Sequence, residues 1–251
     1  MSNILYGFIL TTIAGLSTLL GAIIIFFIKK KSDNIIIGAL SFASGVMITI
    51  SLIDLIPESI NLLSTKFVLF PTMVISSIFV VVGILFSILI EKYLPDNTSK
   101  NSSLYRVGII SMLAIILHNI PEGIATFMTT TTDIKLGVSL CVAIACHNIP
   151  EGISIATPIY YSTNKKRKAL LYTFISGLSE PFGALIAYFF LSKYVNNAIM
   201  GILLAIIAGI MLHISFYELL PTAKKYHNYR IFYLFLIIGC IFMIINHLLF
   251  N

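Results

Sequence analysis

The chain has 251 residues, of which 58% are hydrophobic and only 10% charged, and its mean hydropathy is +1.01. A soluble domain keeps about a quarter of its residues charged, so this chain cannot cover itself against water and lipid must be part of its solvent. The net charge of +6 does not make a nucleic-acid surface, because the basic residues sit in short connections between apolar runs.

Eight apolar runs are long enough to cross a bilayer, which takes about 20 residues. They cover approximately residues 4–28, 35–57, 67–90, 107–128, 136–158, 169–191, 198–220 and 231–249. The chain is thus expected to be an all-α integral membrane protein forming one transmembrane domain over residues 1–251. The first run ends at Lys29-Lys30-Lys31, lacks a positive leading segment and is too long for the core of a signal peptide, so it is expected to be a retained helix. The connections after runs 1, 3, 5 and 7 carry three, three, four and three Lys or Arg residues. Those after runs 2, 4 and 6 carry only Lys66, Lys135 and Lys193. This bias predicts cytoplasmic odd-numbered connections and both termini outside.

Two internal repeats organise the runs. HNIPEGI occurs at 118–124 in run 4 and again at 147–153 in run 5. A weaker repeat relates Gly45–Pro57 in run 2 to Gly209–Pro221 in run 7, and each copy ends in an acid, a leucine, an aliphatic residue and a proline. Each pair joins an odd-numbered to an even-numbered run, so its members cross the membrane in opposite directions. Inverted repeats with interrupted helices are the architecture of many secondary transporters, and a 3+2+3 arrangement follows. The three cysteines, Cys141, Cys146 and Cys240, all fall inside apolar runs and form no disulfide pattern. They read as small buried hydrophobes, with a minor metal role left open for Cys146 beside His147.

The acids carry the chemistry. Glu122, Glu151 and Glu180 lie deep in apolar runs with no Lys or Arg alongside. One central acid opposes insertion by ~2.5–3.5 kcal/mol, so three together oppose it by very roughly 8–10 kcal/mol if ionised and unpaired. Protonation or a bound cation would offset that cost. A histidine beside each of two acids favours the cation, because imidazole with carboxylate is a ligand set for first-row divalent metals. Asp54, Glu58 and Glu218 stand nearer run ends, where they either reach the membrane interface or line a path for the ion.

On a helix, His118 and Glu122 project about 40° apart, and Asn119 and Glu122 about 60° apart on the other side. His147, Asn148 and Glu151 repeat this geometry from the facing run. One position is therefore expected between His118, Glu122, His147 and Glu151, and it suits zinc. A second, lined by Asn119, Asn148 and both glutamates, is all oxygen and takes ferrous iron or a second zinc. Pro121 and Pro150 free the carbonyls one turn back, which a bilayer tolerates only around a lined cavity. A kinked helix pair holding hydrogen-bonded polar groups is the plainer reading, and it weakens once the motif appears twice face to face. Glu180, in Ser176-Gly177-Leu178-Ser179-Glu180-Pro181, is the candidate for completing the oxygen-rich position. His213 stands mid-run as either a pathway ligand or a core histidine, and His227 and His247 carry no specific expectation.

HNIPEG in runs 4 and 5, SEPFGA in run 6 and the paired acid-Leu-x-Pro segments resemble the ZIP (Zrt/Irt-like) metal transporters, bacterial members above all, over essentially the whole chain. The resemblance implies eight helices with outside termini, in the cytoplasmic membrane of a bacterium. It implies uptake of zinc, and also of iron, manganese, cobalt or cadmium, through a binuclear centre. By motif, the zinc-type position takes His118, Glu122, His147 and Glu151. The neighbouring one takes Asn119, Glu122, Asn148, Glu151 and Glu180. It further implies homodimers, no catalytic cofactor and no nucleic-acid partner. Residues 92–106 contain no histidine, unlike the histidine-rich loop of many eukaryotic members. A membrane-embedded zinc hydrolase is the alternative from another class. It needs three ligands, an open water position and a base, yet the chain has no HExxH, and a second inverted ligand set has no task in hydrolysis.

Overall fold

The computed structural model describes residues 3–28, 30–66, 68–93, 100–191 and 196–250, so Lys29, Asp96 and Lys193 lie outside the described residues. Among those described, eight helices are long and apolar enough to cross a membrane. They are α1 (Asn3–Phe27), α2 (Asp33–Ser64), α3 (Leu69–Tyr93), α4 (Lys100–Thr132), α5 (Ile134–Thr163), α6 (Lys166–Phe190), α7 (Asn197–Lys224) and α8 (Tyr229–Phe250). No strand occurs among the described residues. The predicted centres hold, and the ends move outward where polar residues extend a helix beyond its apolar run. α4 starts at Lys100 rather than 107, and α2 runs to Ser64 rather than 57.

α2 and α7 share an internal irregularity that explains the second of these differences. Each contains a π-helical stretch, Ser51–Leu55 and Ile214–Leu219, directly ahead of Pro57 and Pro221. A proline interrupts a regular α-helix because it lacks the N–H and its ring meets the carbonyl four residues back. The wider π turn gives that ring room, so the chain continues helically instead of ending. The sequence repeat is thus also a repeat of backbone geometry.

α6 differs from the expected uninterrupted span. It breaks at Leu178, between Lys166–Gly177 and Ser179–Ile186, and closes with a π turn at Ala187–Leu191. Pro181 cannot donate to the carbonyl of Gly177, and that carbonyl lies against Gly15 of α1. By contrast, α4 and α5 stay helical through Pro121 and Pro150. Asp133 alone separates them. Its carboxylate caps α5 by accepting from the N–H groups of Lys135 at 2.8 Å and Leu136 at 3.2 Å.

Two groups of helices follow from the contacts. α1, α4, α5 and α6 pack on one another, while α2 pairs with α8 and α7 with α3. Outward faces carry Leu, Ile, Val and Phe, and α3 and α8 are the least buried helices. The polar side chains face inward: His118, Asn119, Glu122, His147, Asn148, Glu151 and Glu180 are all buried. One end of the bundle gathers the basic connections, where Lys31 Nζ donates to the carbonyls of Tyr160 and Tyr161, and Asn228 donates to Asn34. The other, terminal end gathers the last turns of α2, α4 and α8 with the first turns of α5 and α7.

Candidate metal centre

α4 and α5 place the two HNIPEG motifs against each other halfway along the bundle. Glu122 is the hub. Its Oε1 lies 3.2 Å from His118 Nε2 and 3.1 Å from His147 Nε2, and His118 Nε2 is also 3.4 Å from Glu151 Oε1. The imidazole rings face across the site at 6.2 Å between centroids. Ligand atoms of His118, Glu122 and His147 all lie within 4.8 Å of one another. The four residues expected at the zinc-type position are therefore together, and all four are buried.

The second group of residues is brought close but not closed. Asn148 donates to Glu180 and, at 2.9 Å, to the carbonyl of Ala14. Glu180 lies within electrostatic reach of Glu122 and Glu151. Asn119 is fully buried on the stretch of α4 that touches α6, and it makes no hydrogen bond with a described residue. The free oxygens form a set. Glu122 Oε2, both oxygens of Glu151, Glu180 Oε2, Asn119 Oδ1 and Asn148 Oδ1 are all buried without a hydrogen-bond partner among the described residues. Unpartnered buried polar atoms are rare, and a set in which carboxylate and amide oxygens stand beside unpartnered ring nitrogens of His118 and His147 is one that could hold a cation.

A cavity of about 900 Å³ leads to this cluster from the terminal end, passing Asp54, Glu58 and His247 before reaching His147 and Glu122. Asp54 is hydrogen-bonded to His247 of α8. His247, for which the sequence carried no expectation, therefore belongs to the mouth of the cavity. Glu58 is exposed and accepts from Asn61 at 3.2 Å, in keeping with a residue at the interface. Glu218 departs from that reading: it is buried and paired with Arg106 at 3.6 Å. His213 is buried, its Nδ1 2.9 Å from Ser87 Oγ, its Nε2 3.8 Å from Glu91 Oε2 and its ring stacked on Tyr217. The cysteines are free thiols, and Cys146 is not part of the cluster formed by His118, Glu122 and His147.

One relation escaped the sequence reading. Gly15-Leu16-Ser17-Thr18-Leu19-Leu20-Gly21-Ala22 in α1 matches Gly177-Leu178-Ser179-Glu180-Pro181-Phe182-Gly183-Ala184 in α6. The packing matches too. A Cβ on Gly152 would strike the carbonyl of Thr18, and one on Gly123 would strike that of Glu180. Gly15 and Gly177 touch each other. Thr18 is thus the counterpart of Glu180, with its hydroxyl donating to the carbonyl of Gly15 at 2.6 Å. The signal was available as GLS-x-x-x-GA, and it was hidden because the chemically decisive residue differs between the copies.

A family profile described as ZIP Zinc transporter matches residues 95–247, which include both HNIPEG motifs and SEPFGA. The chain is 39% identical to the zinc transporter ZupT of Clostridium perfringens, with 100% of this chain and 98% of the relative covered. It is 41% identical to that of Akkermansia muciniphila and 38% identical to that of Streptococcus mutans, with 97% of each chain covered in both cases. The chain belongs to the ZIP family of zinc transporters, and it is not an enzyme.

Proposed function

We propose that the protein takes up divalent metal, zinc foremost, through a binuclear centre in α4 to α6. The observation that carries this reading is the buried grouping of His118, Glu122, His147 and Glu151 beside a cavity that also reaches the terminal end of the bundle. The first position takes zinc through these four residues. The second takes Asn119, Glu122, Asn148, Glu151 and Glu180, and its oxygen ligands accept zinc or ferrous iron. Iron, manganese, cobalt and cadmium are accordingly the competing substrates. Metal displaces protons from the carboxylates on binding, so proton and metal compete. Binding must still be weak enough for release.

The cavity opens at the terminal end, which the Lys and Arg bias assigns to the outside. The basic end then faces the cytoplasm of a bacterial cell, the lipid bilayer surrounds the apolar faces, and residues 1–251 act as one domain, paired as a homodimer. Close backbone contacts bind α1, α4, α5 and α6 into one block. A rigid shift of that block against α2, α3, α7 and α8 carries the centre from one side to the other.

The test is zinc influx into proteoliposomes loaded with a zinc-sensitive dye, with ferrous iron, manganese, cobalt and cadmium as competitors. Influx above that of protein-free vesicles is expected, with zinc outcompeting the harder ions. A protein that binds zinc but moves none at any pH tried would end the transport reading, and hydrolase activity would be assayed next.

A further inference from the structure

The inverted repeat extends to charged residues at both ends of the bundle. Gly45 of α2 lies against the carbonyl of Leu236 in α8, and Gly209 of α7 lies against that of Val80 in α3. Likewise Gly239 meets the carbonyl of Phe42, and Gly83 that of Ile206. These contacts superimpose α2 on α7 with an offset of 164 residues and α3 on α8 with an offset of 156. The first offset makes Asp54 the counterpart of Glu218, and the second makes His247 the counterpart of Glu91. The HNIPEG offset of 29 makes Lys135, in the first turn of α5, the counterpart of Arg106 near the start of α4.

The two ends are in different states. At the basic end Arg106 bridges Glu91 at 3.3 Å and Glu218 at 3.6 Å, tying the site-bearing helix α4 to α3 and α7 of the other group. All three side chains are at most partly exposed there. Below the metal centre this half is filled by packed apolar residues of α2, α4, α5 and α7, among them Met47, Ile115, Ile159 and Ile214. At the terminal end the cavity is open, Asp54 is held by His247, and Lys135 is exposed beside Leu136 on the cavity wall.

We propose that Arg106 and Lys135 are alternating gates. Arg106 seals the inner end while the outer end is open, as here. When the block shifts, Arg106 leaves Glu91 and Glu218, and Lys135 closes on Asp54. Charge sets the resting state. The inner set offers Glu91 and Glu218 to its cation, whereas at the outer end His247 stands where Glu91 would be and holds Asp54, and Glu58 is exposed and accepts from Asn61. A bridge to two carboxylates across a partly buried interface holds more firmly than a single exposed pair, which favours the outward-open form.

This inference rests on the transport reading, but conformation can be read without any metal flux. In a variant with Cys141, Cys146 and Cys240 replaced by alanine, Met200→Cys on the cavity wall reports outer access to a membrane-impermeant maleimide. Arg106→Ala is expected to slow its labelling roughly fivefold as the outward population falls, whereas Arg106→Lys, keeping the charge, stays near the parent rate. In the same background, Asp54→Cys with Lys135→Cys is expected to cross-link more in Arg106→Ala than with Arg106 intact. Glu218→Gln supplies the same comparison should Arg106→Ala not fold. Labelling and cross-linking that are unchanged by loss of the Arg106 bridge would overturn the gate assignment even if zinc influx is confirmed. Failure of influx with these shifts present would instead fault the transport reading.

Discussion

Replacing Glu122 with alanine is expected to bring zinc influx close to that of protein-free vesicles, and Glu151→Ala to do the same. Both imidazoles approach a single oxygen of Glu122, at 3.2 and 3.1 Å, so in the proposed centre its removal would take a ligand from both positions. Loss of a residue that merely orients a metal ligand costs 10–100-fold in affinity or activity, so loss of a shared ligand is expected to cost roughly 100-fold or more. The melting temperature of each variant in detergent separates loss of a ligand from loss of the fold. Glu180→Gln separates the two positions. It removes a carboxylate that the proposal assigns to the second position alone, so bound zinc is expected to fall from two ions per chain to one, with influx reduced but not lost. Equilibrium dialysis of the detergent-solubilised protein measures the stoichiometry. A parent protein binding a single ion, or a Glu180→Gln variant still binding two, would remove the second position.

Much of this centre was legible because a bilayer restricts what a sequence can mean. Ions in an apolar run need a reason, and the HNIPEG copies supply it with helical spacing that the structure keeps at His118, Glu122, His147 and Glu151. The eight spans were legible for the same reason, since every backbone polar group must be satisfied within a helix. What lay beyond reach depended on partners distant in sequence. Asp54 meets His247 across 193 positions, and nothing near either residue announces the other. Glu218 read as either an interface carboxylate or part of an ion path, and its pairing with Arg106 of α4 could not be read from either. The π turns of α2 and α7 were also concealed, because apolar periodicity does not distinguish an α turn from a π turn. In both helices the widened stretch stands just ahead of the proline that closes the repeat.

Gly152→Val and Gly123→Val are expected to disable the protein by a different route, leaving every ligand in place. A Cβ at Gly152 would fall on the carbonyl oxygen of Thr18, and one at Gly123 on that of Glu180. The obstacle is backbone in both cases, so no side-chain rotation relieves it and the helices must part. Overpacking that a core can absorb costs about 1–3 kcal/mol, and a clash between backbones belongs at or above the upper end of that range. Parting α6 from α4 also withdraws Glu180 from the oxygen cluster, and parting α1 from α5 moves the Ala14 carbonyl that holds Asn148. Both variants should therefore melt several degrees lower in detergent and lose influx together with binding at the second position. Gly38→Ala provides the contrast. Its Cβ would sit 3.4 Å from the ring of Phe235, an ordinary contact, so melting and influx stay near those of the parent. A Gly152→Val protein that keeps the parent's melting behaviour and influx would contradict the close seating of α1 on α5. The rigid block that carries the centre would then need another account of what holds it together.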